Sequence, residues 1–306
     1  MPVETAAAPA APTPGFVERL ALGTAQFGLA YGINNTAGRP TDATVHDILR
    51  TARAAGLTLL DTAAGYGDSE SRLGEWLGQP AAPPFRVVTK LAAGPAADVQ
   101  RQVRESLARL QQPQVYGALF HDFNSFRAQP AAWETLRQAR AAGQVRRIGV
   151  SLYHPQEAEW LLAQGLDFDL VQLPFNVLDQ RFGPLLPALA QRGVEVHVRS
   201  AFLQGLLLRA PAALPDFFAP LAGKITRLRA LAQEAGVPLA ALLLLFAAFA
   251  PGASRVVVGV DTAANLRDNL AAAHYLAQAE RLRPALQQLA EITDTYILPY
   301  AWPPRS

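Results

Sequence analysis

Four side chains in the N-terminal part of the sequence have the types needed for acid–base work on a carbonyl. Asp61 closes the apolar run LTLLD, and Tyr66 follows shortly after it in DTAAGYGDSE. Lys90 closes FRVVTK, and His121 closes YGALFH. An ammonium held beside a phenol favours the phenolate. A group whose free pKa is roughly 10 can then exchange a proton closer to neutral pH. Asp61 can pair with Lys90 and hold it, and His121 can hydrogen-bond the carbonyl oxygen that Tyr66 protonates. The set is an acid with a polariser, and it contains neither a nucleophile nor a metal shell. It suits hydride transfer, in which a cofactor carries the difficult step. A Schiff-base role for Lys90 is the competing chemistry, but it leaves Tyr66 without a task.

These residues matter only if the fold carries them to one place. Short apolar runs occur at 18–24, 57–61, 85–90, 116–121, 146–151, 169–174, 194–200 and 254–260. Helical patterns separate them. Thr41 and Asp42 can cap a helix that ends at Gly56, and further helices are expected over 69–77, 97–110, 133–142, 156–163, 185–191, 225–235, 265–274 and 279–293, several stopped by glycine. Repeated strand–helix units predict a parallel sheet. Their number and the chain length fit a single-domain α/β fold, a (β/α)8 or TIM barrel over residues 16–306. An open doubly wound sheet is the alternative. It often carries a glycine-rich phosphate turn after its first strand, which GTAQFGLAYG at 23–32 does not spell.

In such a barrel the active site lies at the C-terminal ends of the strands. Asp61, Lys90, His121, Ser151, Arg199 and Ser200 close successive runs there, and strand six carries Gln172 and leads to Asn176. In VEVHVRS, Glu195, His197 and Arg199 alternate with valines, which predicts a buried polar network inside the barrel rather than a metal site. His46, His154 and His274 show no ligand spacing, and no metal is expected.

Composition narrows the class. Charged residues are only 17% of the 306, so a large buried core is expected. A net charge of +2, from 27 basic and 25 acidic residues, excludes a general nucleic-acid binder. The chain has no cysteine, which rules out disulfides, thiolate nucleophiles and zinc–thiolate sites and suits a cytoplasmic location. Residues 1–15 are rich in Ala and Pro without the shape of a signal peptide, and are expected to form a disordered tail. The most apolar stretch, 239–250, is too short to span a bilayer and reads as a buried helix, so no membrane partner is expected.

DTAAGYGDSE followed by VVTK, GVS at 149–151, VQLPFN at 171–176, FLQGLL at 202–207 and VVVGVDTAANLRDNL at 256–270 resemble the aldo-keto reductase family over roughly residues 17–290. The resemblance implies a catalytic tetrad of Asp61, Tyr66, Lys90 and His121, and an NAD or NADP cofactor extended across the barrel mouth. It places Gly23 and Thr24 beside the nicotinamide and Ser151 and Gln172 on its carboxamide. Ser200, Leu203 and Gly205 fall in the pyrophosphate loop. Gly259, Asn265 and Asn269 fall at the adenosine end. The implied activity is NAD(P)-dependent interconversion of an alcohol with an aldehyde, ketone or sugar-like carbonyl, the partner being a small molecule. A cofactor-sensing regulatory subunit is the alternative role within the family. Two positions depart from the pattern. Arg199 replaces an aromatic that commonly stacks under the nicotinamide, and its charge disfavours the oxidised ring. Asp261 stands where the 2′-phosphate of NADP is often bound, so the family leans to NADP and Asp261 to NAD, with Arg267 near enough in sequence to compensate. The loops 26–40, 122–130 and 208–223 carry Phe27, Tyr31, Phe123, Phe126, Phe217 and Phe218, which predicts a partly aromatic pocket. Nothing in the sequence specifies an oligomeric state.

Overall fold

Eight parallel strands close into one barrel in sequence order. They are β1 Leu20–Gly23, β2 Leu59–Asp61, β3 Arg86–Leu91, β4 Val115–Phe120, β5 Val145–Ser151, β6 Leu170–Pro174, β7 Glu195–Arg199 and β8 Arg255–Gly259. β1 pairs with both β2 and β8, which seals the barrel. A computed structural model describes residues 15–35, 38–79 and 85–303. The expected N-terminal tail lies outside the described residues apart from Gly15. Each of the eight expected runs coincides with a strand, with β3, β4 and β5 each extending one residue beyond its run, and His121 sits just past the end of β4.

The helices are α1 Ala25–Gly28, α2 Asp42–Ala54, α3 Ser69–Leu77, α4 Ala96–Leu110, α5 Phe123–Ala128, α6 Ala132–Ala141 and α7 Pro155–Ala163. They continue with α8 Leu186–Gln191, α9 Ala222–Glu234, α10 Leu239–Ala248, α11 Ala263–Ala271, α12 Leu276–Gln287 and α13 Asp294–Ile297. Local chemistry accounts for their starts and faces. The Thr41 hydroxyl accepts from the Thr44 amide and caps α2. α4 buries Val99, Val103, Ser106 and Leu110, one stripe at helical spacing. The stretch 122–130, expected to be a loop, is largely α5, capped by Asp122. The helix expected over 279–293 is α12, which begins at Leu276 and ends at Gln287, and α13 follows beyond the expected range. α10 is buried from Ala241 to Ala248, and among the described residues no single helix is long and apolar enough to cross a membrane.

Two apolar layers hold the barrel. The larger lies between strands and helices, and a smaller cluster of Ala21, Leu59, Val88, Leu119 and Leu170 fills the interior. Side chains on a strand alternate faces. Asp61 and Lys90 therefore follow Leu59 and Val88 on the inward face, one step nearer the C-terminal ends. Of the polar network expected on β7, Glu195 and His197 are joined, whereas Arg199 stands apart from them. The fully buried His197 meets Glu195 at 2.8 Å through Nε2, and the Tyr116 hydroxyl donates to Glu195 at 2.5 Å. Burial alone would raise the Glu195 carboxyl, but His197, Tyr116 and Arg255 outweigh it and hold its pKa at about 2. Among the described residues no cluster of three or more His, Asp or Glu could hold a metal ion.

One backbone approach decides where Tyr66 can sit. A Cβ added at Gly28 would lie 1.7 Å from the Tyr66 carbonyl oxygen, and one at Gly67 would lie 2.5 Å from that of Gly28. Gly67 also has φ +57°, which L side chains rarely adopt. α1 and the Tyr66 loop thus touch through main chain alone. Gly28→Ala should destabilise the protein by about 2 kcal/mol or more. Gly94→Ala, where no atom lies within 4 Å of the new methyl, should stay within about 0.5 kcal/mol of the parent. Chemical denaturation of the two variants checks this, and equal stability would contradict the close approach.

Candidate active site

The ends of β2, β3 and β6 meet through one buried carboxylate. Lys90 Nζ lies 2.6 Å from Asp61 Oδ1, and the two side chains are 1% and 3% exposed. Lys90 also donates to the Thr62 carbonyl at 3.0 Å. Gln172 Nε2 donates to the second Asp61 oxygen at 2.7 Å. Each buried charge thus has an opposite charge and a further hydrogen bond, the condition for tolerating an ion pair away from water. Burial pushes the Lys90 pKa down, but Asp61 and Tyr66 outweigh it and raise it above the ordinary lysine value. The lysine is an ammonium throughout the physiological range.

That ammonium faces Tyr66, its Nζ 5.1 Å from the ring centroid. On the other side, the His121 ring meets the Tyr66 ring edge-on, at 5.5 Å between centroids and 80° between planes. Burial, Lys90 and Arg199 lower the His121 pKa from 6.5 to about 4, against opposing pulls from Asp61 and Asp122. The imidazole is neutral at neutral pH and can both donate and accept one hydrogen bond. The four residues singled out for acid–base work therefore converge, as their strand-end positions require.

A second polar layer behind them fixes the Tyr66 loop. The Ser69 hydroxyl donates to the Thr24 carbonyl at 2.9 Å and lies 3.2 Å from the Thr62 hydroxyl. Glu70, 1% exposed, accepts from the Thr89 hydroxyl at 2.5 Å and from Arg109 Nε at 2.7 Å. It joins the helix after Tyr66 to the strand that carries Lys90. Sequence reasoning missed this residue. The available signal was a carboxylate at helical spacing from Leu73 and Leu77, on the buried face of α3.

A cavity of about 300 Å³ opens above this cluster. Asp61, Tyr66, Gln172 and Arg199 form the end nearest the Lys90–Asp61 pair. Gly23, Thr24 and Gly259 line it from the ends of β1 and β8, and Ser200 and Gly205 line it from the loop after β7. Asp261, Asn265 and Asn269 line the end beside α11. Four expected residues are not on its wall. Lys90 is buried beneath Tyr66, and His121 borders the Tyr66 ring. Ser151 is buried at the end of β5 in register with Gln172, and Leu203 is fully buried. One N–H of the Gln172 amide is committed to Asp61, which leaves its other N–H and its Oε1 for a ligand.

The loop after β7 is a left-handed curl, with φ of 64° at Ser200, 47° at Leu203, 54° at Gln204 and 95° at Gly205. Asn176 holds its start by donating to the Ser200 carbonyl at 3.1 Å. The loop after β1 crosses to it. The Ile33 amide donates to the Gln204 carbonyl at 2.9 Å, and Asn34 Nδ2 donates to the Gly205 carbonyl at 2.7 Å. The two loops are joined beside the cavity, a long-range contact that the sequence did not announce. Arg199 lies with its Cζ 4.2 Å from the Tyr153 ring centroid and donates to the Leu152 carbonyl at 3.1 Å, with no carboxylate partner among the described residues. The aromatic pocket expected from the loops needs correction. Phe27 and Phe126 are fully buried, and Phe123 and Phe218 nearly so. Phe123 and Phe126 pack edge-on against Trp160 in the outer layer. Of the six aromatics expected there, Tyr31 lines the cavity, which is otherwise walled by Tyr66 and Phe202 among aromatics.

Fold and site together define a closed parallel barrel with a cluster of titratable side chains at its strand ends. The chain belongs to the aldo/keto reductase family, whose model matches residues 19–283. It is 33% identical over 148 residues to uncharacterised oxidoreductases of Mycobacterium tuberculosis and Mycobacterium bovis, a match spanning 45% of this chain and 43% of each relative. Its fold resembles that of aldo-keto reductase AKR11C1 from Bacillus halodurans, solved in its holo form, with a TM-score of 0.72 and 20% identity over 89% of this chain and 92% of that one. A Pseudomonas aeruginosa protein assigned to the aldo-keto reductases gives a TM-score of 0.65 and 23% identity over 86% of this chain and 90% of its own.

The His121 environment has a thermodynamic consequence. The unfolded chain takes up a proton at His121 near pH 6.5, while the folded protein does so only near pH 4. Stability from the neutral ring is complete above about pH 6.5 and is lost as the pH falls toward 4. One pH unit corresponds to about 1.4 kcal/mol, which caps the loss at about 3 kcal/mol, reduced by solvent at a partly exposed ring. Urea unfolding between pH 7 and 4 should therefore show a steeper loss for the parent than for His121→Gln. Parallel pH profiles would contradict the assigned environment.

Proposed function

We propose that the protein is an NAD(P)-dependent oxidoreductase that interconverts a small aldehyde or ketone and its alcohol by hydride transfer, with Tyr66 as general acid and base. The observation that carries this reading is the buried Lys90 ammonium, fixed by Asp61 and facing a phenol that lines a cavity. The cavity suits an extended dinucleotide. Gly259 leaves room that a Cβ would take from the Gln26 amide, 2.3 Å away. Asn269 is 6% exposed, lines the cavity and has no side-chain hydrogen bond among the described residues. The curled loop brings Ser200, Gln204 and Gly205 to the cavity wall, where a pyrophosphate would lie. Gly23, Thr24 and Gln172 would border the nicotinamide, Ser200 and Gly205 the pyrophosphate, and Gly259, Asn265 and Asn269 the adenosine.

A nicotinamide dinucleotide bound there supplies or accepts the hydride. The protein's own groups manage the proton. On reduction, the Tyr66 hydroxyl donates its proton to the carbonyl oxygen, and the Lys90 ammonium stabilises the phenolate left behind. Asp61 holds that ammonium in place, and Gln172 holds Asp61. Neutral His121 donates a hydrogen bond to the same carbonyl oxygen and orients it without adding a charge. Lys90 is poorly placed for Schiff-base chemistry, since it is buried and held as an ammonium by Asp61. Tyr66→Phe should lower the rate of carbonyl reduction by about a hundredfold or more while leaving the affinity for NAD(P)H within a few-fold of the parent. A steady-state assay paired with a fluorescence titration checks both parts. Undiminished turnover would remove Tyr66 from the role.

A further inference from the structure

We infer that the cofactor is NAD(H) rather than NADP(H), and that Asp261 is the residue that sets this preference. The inference rests on the dinucleotide reading above and concerns the end of the cavity remote from Tyr66. Asp261, Asn265, Asp268 and Asn269 line that end, at the start and second turn of α11. Asp261 and Asp268 each lack an ion pair and a side-chain hydrogen bond among the described residues, so two carboxylates stand there without a cation. Burial raises the Asp261 pKa with nothing opposing it, as expected for a carboxylate that has no compensating donor.

The cations that could have offset them lie elsewhere. Arg267, the residue that sequence proximity suggested, lines a separate groove between α2 and α11 with Asp47 and Arg50. Arg50 is itself paired with Asp47 at 2.9 Å. Arg199, which also lines the cavity, belongs to the Tyr66 end and is stacked on Tyr153. The start of α11 offers little more. The Asn265 amide donates to the Thr262 hydroxyl at 3.1 Å, so the helix caps itself with a donor that a phosphate would otherwise take.

Free carboxylates and an uncommitted amide have a clear chemical match. A carboxylate accepts hydrogen bonds from the two hydroxyls of an unmodified ribose. A phosphate ester on that ribose carries about −1.5 to −2 charge at pH 7 and would meet two like charges with no counter-ion. The Asn269 amide, buried and unpaired, can serve the edge of a base as donor and acceptor.

The test is a fluorescence titration of the full chain with NADH and with NADPH, at low salt and at high salt. NADH should bind at least tenfold more tightly at low salt, and the gap should narrow at high salt as the carboxylates are screened. Asp261→Asn should tighten NADPH binding several-fold and weaken NADH binding, and Arg267→Gln should leave the ratio unchanged. NADPH binding as tightly as NADH to the parent would overturn the inference, as would an unchanged ratio in Asp261→Asn. A selective loss of NADPH affinity in Arg267→Gln would place the phosphate in the neighbouring groove and overturn it too. Failure of both nucleotides to bind would instead overturn the dinucleotide reading itself, and this inference with it.

Discussion

The ion pair between Lys90 and Asp61 is the constraint around which the mouth of the barrel is arranged. Two charges removed from water cost several kcal/mol each unless they meet one another in good geometry with their remaining hydrogen bonds filled. Here the Thr62 carbonyl takes a second lysine proton and Gln172 takes the second carboxylate oxygen. That arrangement binds β2, β3 and β6 to one another above an apolar interior. Apolar residues of similar volume could hold the strands together as well, so stability alone does not call for the pair. What the pair supplies is a permanent positive charge under a phenol. Together with the burial of its ring, the same charge keeps His121 neutral.

A charge placed this deliberately needs its neighbours held still. Tyr66 hangs on a loop, and loops move unless something ties them. Ser69 ties it to β1 and β2 through Thr24 and Thr62, and Glu70 ties the following helix to β3 through Thr89. The main-chain contact with Gly28 closes the third side. The cavity above is polarised along its length, with the Arg199 cation at the end nearest Tyr66 and the Asp261 and Asp268 carboxylates at the other.

Much of this was legible in the sequence for identifiable reasons. The strands were readable because each is a short apolar run between helices stopped by glycine, and a polar residue at the end of such a run has few places to go except the barrel mouth. Other features depended on tertiary partners. α5 is only six residues long, too short for periodicity to declare, so Phe123 and Phe126 passed for pocket residues when they are the buried face of a helix. Gln172 could be placed at the site, but nothing local indicates that Asp61 competes for its amide nitrogen. The join between Asn34 and Gly205 links positions 171 residues apart, and no local pattern predicts it. Arg267 looked available to a phosphate because it is close in sequence to Asp261, yet the helix turns it onto a different surface.

Lys90 and Lys224 are the only lysines in the chain, which opens the central claim to direct measurement. Protein labelled with ¹³C at lysine Cε gives two side-chain resonances by NMR, assigned with Lys224→Arg. If Asp61 holds Lys90 as an ammonium beside Tyr66, the Lys90 resonance will keep its protonated shift beyond the ordinary lysine pKa of 10.5, and Asp61→Asn will bring its titration to lower pH. A Lys90 resonance that titrates well below 10.5 in the parent protein would contradict the account.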